Sequence, residues 1–229
     1  MSEPPPPPLP PPSAGWPSAG QQPLQPDWSP KQSTAGLRKA AVILFWCTTG
    51  STALLIVATI YRRSVWTDFR GESADLDDLD AADGAVGAAA GLQLALGIAT
   101  LIVVSIWSLR TARNARSSGA PVSPGWACGG WYLPFANLVV PFVQLRRIMR
   151  HGQQSASPVN RWQGLIIVTA VASGPLRRLG DTESATTSDE LSSRLSAQIW
   201  FAVISTLLLA AMSYVASQAT REVDAVSSA

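Results

Sequence analysis

Four stretches of this sequence contain no Asp, Glu, Lys or Arg, and charged segments separate them. They cover about residues 40–61, 84–109, 162–176 and 197–216. An α-helix rises about 1.5 Å per residue, so about 20 apolar residues cross the roughly 30 Å hydrocarbon layer of a bilayer. The stretch 162–176 is shorter and needs flanking residues to span. The pattern predicts an all-α membrane protein with four transmembrane helices.

The composition agrees with a chain that lies largely in lipid. Hydrophobic residues make up 47% of the sequence and charged residues 14%, whereas soluble domains carry about 25% charged residues. The net charge of +2 is too small to indicate a nucleic-acid partner. Cys47 and Cys128 do not form the pattern of a disulfide framework.

Both ends of the chain differ from the membrane domain, which we place at 37–216. Residues 1–36 contain two proline runs, at 4–8 and 10–12. Proline removes backbone donors and favours extended polyproline II, so this segment is predicted to be a disordered tail. It is either a spacer or a ligand for a protein that binds proline-rich segments in a groove. Residues 217–229 are predicted to form a short polar tail.

The segment 117–145 is uncharged but contains four prolines and three closely placed glycines. A straight membrane helix with this content would lose several backbone hydrogen bonds, which is costly in hydrocarbon. Its aromatic residues, among them Trp126 and Trp131, are typical of a membrane interface. We therefore expect a broken segment, re-entrant or interfacial, between the second and third membrane helices.

Positive charge indicates the orientation. If 117–145 does not cross the membrane, eleven of the 17 Lys and Arg residues fall on the side that holds both termini. If it does cross, the two sides hold nine and eight. Because cytoplasmic loops carry the excess of Lys and Arg, four spans with both termini in the cytoplasm are favoured. The expected location is the cell membrane.

The sequence gives no indication of enzymatic chemistry. His151 is the single histidine, and His, Cys and carboxylate residues do not cluster at catalytic or ligand spacing. The acidic run at 75–83 lacks the glycine and glutamate of a calcium loop and suits a helix N-terminus instead. We expect no catalytic residue, cofactor or metal site.

One motif resembles a known family. It begins Trp107-x-x-Arg110-x-x-x-Asn114 and continues with Ser123-Pro124-Gly125-Trp126, Gly130-Trp131, Pro134-x-Ala136-Asn137-Leu138, Pro141 and Arg146. This pattern is similar to the domain of unknown function 4328 family of multi-pass membrane proteins from high-GC Gram-positive bacteria. The resemblance covers roughly 37–216 and implies the architecture without an activity.

Two groups of residues are candidates for function. The first would contact the bilayer, its anionic headgroups or a partner protein: Arg110, Asn114, Trp126, Trp131, Asn137, Arg146, Arg147 and Arg150. The second is a stripe of small residues expected to let helices pack closely: Gly87, Gly91 and Ala95. We expect a non-enzymatic scaffold or accessory protein. The alternative is a small transporter or channel-like subunit with a site at 117–145.

Overall fold

The computed structural model describes residues 31–133, 135–179 and 187–228. Most of the proline-rich tail, residues 1–30, therefore lies outside the described residues. The described chain forms helices joined by short connections, without a strand. In chain order they are α1 (Ala35–Arg70), α2 (Leu76–Ser117), α3 (Pro124–Gly129), a 3-10 helix (Ala136–Leu138), α4 (Val140–His151), α5 (Ser157–Leu179) and α6 (Ser188–Ser228). The prediction of an all-α chain is confirmed.

Three long helices have the length and apolar composition to cross a membrane. They are Ala35–Arg70, Leu76–Ser117 and Ser192–Ser228. The predicted spans 40–61, 84–109 and 197–216 lie within them. The predicted span 162–176 lies within α5, which has 23 residues. The start of α2 also agrees with the expectation that the acidic run suits a helix N-terminus. Asp75 and Asp78 form a reciprocal cap there, so the acidic run begins this helix.

Polar side chains fix the antiparallel packing of α1 on α2. Gln93 Nε2 donates to Thr52 Oγ1 over 3.2 Å, and Arg62 Nε lies 2.5 Å from Asp83 Oδ1. Thr52 in turn donates to the carbonyl of Thr48, one turn back in its own helix. Because the hydroxyl is satisfied locally, its burial avoids the cost of an unpaired polar group.

The contact of α1 with α6 is also antiparallel. Ser213 Oγ donates to the Phe45 carbonyl over 3.1 Å, and Arg38 Nε lies 3.4 Å from Asp224 Oδ2. The start of α1 therefore lies beside the end of α6, where α2 ends and α5 begins. We call this the proximal end of the bundle. The opposite end, marked by the ion pairs Arg62–Asp83 and Arg70–Asp189, is the distal end.

The buried core lies at the proximal end. Its larger members are contributed by every helix there: Phe45, Val104, Trp107, Trp131, Phe142, Leu145, Ile148, Met149, Val159, Trp162 and Val223. The core is thus built largely from side chains outside the predicted membrane spans or at their ends. The broken segment 117–145 and α4 supply much of it.

Two sequence expectations differ from the structure. Residues 217–228 are not a tail, because α6 continues to Ser228 and buries Ala219 and Val223 completely. The small-residue stripe does not pack within the described chain: Gly87, Gly91 and Ala95 are exposed. A Cβ added at Gly87 or Gly91 would meet no atom within 4 Å. This stripe lies on the outer face of α2, and the α1–α2 contact includes the polar pairs Thr52–Gln93 and Arg62–Asp83.

Because α6 continues to Ser228, we expect substitutions at buried positions in its last three turns to lower the stability of the protein. Val223→Ala should lower the free energy of unfolding by about 1–3 kcal/mol, because it leaves a cavity in a fully buried position. Glu222→Ala, at the exposed neighbouring position, is the control. Thermal unfolding in detergent measures both. Equal melting temperatures for the two variants would contradict the packing of 217–228.

Candidate functional site

The broken segment 117–145 folds back against the end of α2. After Ser117 the chain turns, and Pro124 begins α3 at a position where a missing N–H is tolerated. The N–H of Ser123 donates to Gln144 Oε1 on α4 over 2.9 Å. The Gln144 side chain therefore supplies a hydrogen-bond acceptor for a loop N–H that has no partner in regular secondary structure.

Ser108 joins the segment to α2. Its Oγ lies 2.8 Å from the carbonyl oxygen of Ala127 and accepts a 3.1 Å hydrogen bond from Trp131 Nε1. Ser108 is fully buried and sits at the end of the predicted span 84–109. Its contacts hold α3 and Trp131 at the depth of that last turn of the span.

Aromatic rings continue this contact to α4, α5 and α1. Trp162 on α5 lies 5.3 Å from Phe142, 5.9 Å from Trp131 and 5.9 Å from Phe45, centroid to centroid. The Phe142 and Phe45 contacts are edge-to-face, a geometry that adds about 0.5–1.5 kcal/mol per pair beyond burial. Trp131, expected at the lipid or partner surface, is instead 8% exposed within this cluster.

The turn after α3 is compact because residue 130 lacks a side chain. A Cβ at Gly130 would lie 2.8 Å from the Trp126 carbonyl oxygen and 3.1 Å from Pro141 Cδ. The first atom belongs to the backbone and cannot rotate away. Gly130, Trp131 and Pro141 of the motif therefore have packing roles.

The three arginines of α4 have different environments. Arg146 Nη1 donates to Gln163 Oε1 over 2.6 Å and to Asn160 Oδ1 over 3.2 Å. Gln163 Nε2 then donates to the Leu138 carbonyl at the end of the 3-10 helix over 2.7 Å. Arg147 and Arg150 are exposed. Arg146 thus joins α4 to α5, while the other two face outward.

Asn114 holds the chain where the proline-rich tail meets the bundle. Its Nδ2 donates to the Gln32 carbonyl over 2.8 Å, and its Oδ1 accepts from the Gln32 N–H over 2.9 Å. The Asn114 side chain is buried. Just beyond, the Thr34 hydroxyl donates to Asp224, which also pairs with Arg38. We call residues 31–34 the tail root.

Large apolar side chains are exposed around the same segment. Trp126 is 53% exposed, and Tyr132 and Leu133 are also exposed. Phe135 is 86% exposed and has a φ of 61°, a conformation that costs a non-glycine residue about 1–3 kcal/mol. The fold thus holds a phenylalanine outward from a strained turn.

The structure brings most of the first candidate group to the proximal end. Arg110 and Asn137 are half-buried there, and Asn114 and Trp131 are buried. The small-residue stripe lies apart from them on α2. Sequence reasoning missed Ser108, Gln163 and Asp224, which are common polar residues without a distinctive spacing.

Gly130 offers a direct test of the turn geometry. Gly130→Ala should destabilise the protein by about 1–3 kcal/mol, because its Cβ clashes with a backbone carbonyl. Gly129→Ala is the matched control, since nothing lies within 4 Å of a Cβ there. Thermal unfolding in detergent compares them. An unchanged melting temperature for Gly130→Ala would contradict the close approach.

The comparison with protein families matches the part of the chain just described. The family model described as "Domain of unknown function (DUF4328)" matches residues 70–227. This range includes α2 to α6 and the motif, and it begins at the last residue of α1. No curated protein and no solved structure matches the chain. The chain therefore belongs to the domain of unknown function 4328 family.

Proposed function

We propose that this chain is a non-enzymatic scaffold or accessory protein of the cell membrane. In this proposal it crosses the bilayer four times, with both termini in the cytoplasm. The proximal end forms a rigid platform at the cytoplasmic surface, and the platform presents the proline-rich tail to a partner protein. The observation that supports this proposal is the pair of hydrogen bonds between the Asn114 side chain and the backbone of Gln32.

The fourth span is α5. Its 23 residues extend about 34 Å, and its uncharged stretch 162–176 reaches across the hydrocarbon layer with the help of the flanking residues of the helix. It packs against α6. The start of α1 and the end of α6 both lie at the proximal end, as an even number of spans requires. The excess of Lys and Arg at this end supports its cytoplasmic side.

The broken segment is interfacial in this arrangement. Ser108 holds Ala127 and Trp131 level with the end of the second span. Trp126 and Phe135, both exposed, then lie where aromatic side chains insert between headgroups. In this setting, burial of the Phe135 ring in the lipid surface offsets the free-energy cost of its positive φ.

Arg147 and Arg150 add an electrostatic contact with lipid. Both are exposed on the last turns of α4. A basic residue near an anionic leaflet contributes about 1 kcal/mol, and the attraction falls off within a Debye length. Arg110 is half-buried nearby and adds to the positive potential of this end.

The alternative of a transporter or channel-like subunit receives no support at 117–145. Side chains of this segment pack into the core through Ala127, Trp131 and Phe142. A cavity of about 880 Å³ lies elsewhere, between α1, α2 and α6. The segment is therefore better suited to hold the platform together than to enclose a transported species.

The tail root can be tested with trypsin, which cleaves after Lys31, next to the residue that Asn114 holds. In inverted membrane vesicles, Asn114→Ala should speed cleavage at Lys31 at least several-fold. Two hydrogen bonds to Gln32 are lost, so this backbone opens more often. Right-side-out vesicles should protect Lys31 in both proteins. Mass spectrometry of the released peptide gives the rate.

Asn160→Ala is the control for this experiment, because Asn160 is an exposed side chain on α5 with no contact to the tail root. Cleavage of right-side-out vesicles would contradict the cytoplasmic orientation. Equal cleavage rates for wild type and Asn114→Ala in inverted vesicles would contradict the fixed tail root.

The roles of the three α4 arginines can be distinguished by the salt dependence of lipid binding and by the melting temperature. Arg147→Gln/Arg150→Gln should weaken binding to anionic lipid by about 2 kcal/mol at low salt, and the loss should shrink as salt rises. Its melting temperature should stay near that of the wild type. Arg146→Gln should instead lower the melting temperature in every lipid, because it removes the bond that orients Gln163.

Native mass spectrometry of lipid adducts, run with phosphatidylglycerol and phosphatidylcholine, measures the binding. Thermal unfolding in the same lipids measures the stability. Equal phosphatidylglycerol adducts on wild type and on the Arg147/Arg150 double variant would contradict the lipid contact and leave these residues as determinants of topology.

A further inference from the structure

The cavity of about 880 Å³ lies between α1, α2 and α6, away from the proximal core. Its size falls within the roughly 300–1,000 Å³ typical of small-molecule sites. It extends from Arg62, near the distal end, to Thr48, near the middle of the predicted span 40–61. Leu94 and Ile98 line it and are exposed, so it has an opening beside α2.

The walls of the cavity change in chemistry with depth. Arg62 is at the mouth, and among the lining residues that the structure describes it alone is charged. One to two turns deeper, Leu55 and Phe201 form an apolar band. At the next level Gln93 donates to Thr52 through one amide hydrogen. Ile98, Leu101 and Leu209 then surround the floor near Thr48.

Hydrogen-bond donors collect at the mouth. Arg62 Nε lies 2.5 Å from Asp83 Oδ1, and a guanidinium carries two further nitrogens that can donate to another acceptor. A smaller adjoining cavity of about 140 Å³ is lined by Arg62, Trp66 and Asp83, together with two leucines. The indole nitrogen of Trp66 is buried and has no hydrogen-bond partner among the described residues, but Trp66 does not line the larger cavity. Arg62 lines both cavities and is suited to an acidic head group in the larger one.

We propose that this cavity binds a single-chain amphiphile with an acidic head group. The head group binds to Arg62 at the mouth, and the acyl chain extends along Leu55 and Phe201 to the floor. The opening beside α2 admits the chain directly from the lipid phase. This inference rests on the membrane setting of the proposed function, but not on the cytoplasmic platform or the tail.

The charge at the mouth favours an acidic ligand over a neutral one. Asp83 pairs with Arg62 and lines the smaller cavity, but it does not line the larger one, so among the described lining residues a molecule in the larger cavity meets one charged side chain, that of Arg62. The volume of about 880 Å³ lies within the range of sites that hold one small molecule, so we take a single chain as the occupant. Gln93 has an acceptor oxygen to offer half-way along the chain, which permits a hydroxyl there.

Two glycines of α2 provide a matched pair of variants. Gly97 lines the cavity, whereas Gly91 is exposed on the outer face of the same helix. A Cβ at either position meets nothing within 4 Å, so Gly97→Leu and Gly91→Leu change helix propensity alike. The leucine at 97 occupies the cavity, while the leucine at 91 lies outside it.

The experiment titrates the full chain in detergent with oleate and counts adducts by native mass spectrometry. Wild type and Gly91→Leu should bind one oleate with equal affinity, and Gly97→Leu should bind it at least tenfold more weakly. Ser205→Leu, which fills the cavity from α6, should reproduce the effect if Gly97→Leu is poorly folded. Equal oleate binding by the variants at 91 and 97 would overturn the site.

A second arm tests the head group and the number of chains. Oleyl alcohol should bind wild type at least tenfold more weakly than oleate. Arg62→Gln/Asp83→Asn, which removes the charge without leaving an unpaired carboxylate, should abolish that preference. Equal affinity of wild type for oleate and oleyl alcohol would overturn the acidic head group. Displacement of oleate by equimolar dioleoylphosphatidylglycerol would overturn the single chain.

The Arg147→Gln/Arg150→Gln variant should bind oleate as the wild type does. Loss of oleate binding there would overturn the location at the distal half of the bundle. Retained oleate binding together with unchanged phosphatidylglycerol adducts would reject the lipid contact of Arg147 and Arg150 and keep the cavity.

Discussion

The backbone of the broken segment has to find hydrogen bonds outside regular secondary structure, and the rest of the proximal end depends on how it does so. Three polar side chains supply them: Ser108 to Ala127, Gln144 to Ser123 and Gln163 to Leu138. A buried donor or acceptor without a partner costs about 1–3 kcal/mol. With these groups satisfied, the segment can lie against α2, and the aromatic rings of Trp131, Phe142 and Trp162 can pack between it and α5.

The long helices were predictable from the sequence, because an apolar stretch of about twenty uncharged residues matches the thickness of the hydrocarbon layer. The end of α6 was predicted poorly for the opposite reason. In 217–228 the buried residues Ala219 and Val223 stand among Arg221, Glu222 and Asp224, so local composition resembles a solvated tail. Their burial depends on the start of α1 and on α4, and no local pattern reports contacts with elements that lie so far away in the chain.

The motif is visible in the sequence, but the roles of its members depend on tertiary contacts. Aromatic and basic residues near a predicted interface have the same sequence signature whether they face lipid or the core. Trp126 and Trp131 are five residues apart, yet one is exposed and the other is in the aromatic cluster. Arg146 and Arg147 are neighbours, yet helical periodicity turns one toward Gln163 and the other outward. The sequence therefore identifies these residues as a group, and tertiary contacts determine which of them are buried and which face outward.

The two ends of the bundle are built differently, and the functions proposed for them follow this difference: a platform at the proximal end and a ligand cavity in the distal half. At the proximal end, aromatic side chains, the tight turn at Gly130 and hydrogen-bonded side chains fill the space between the helices. The tail root is therefore held in one position. In the distal half, α1, α2 and α6 surround a cavity lined by Leu, Ile and Phe side chains together with Thr and Gln, and the ion pair Arg62–Asp83 lies at its mouth. Packing cannot be tight everywhere if a helical bundle is to admit a ligand. A dense proximal core allows the distal half to remain open, because it holds the same helices together from the other end.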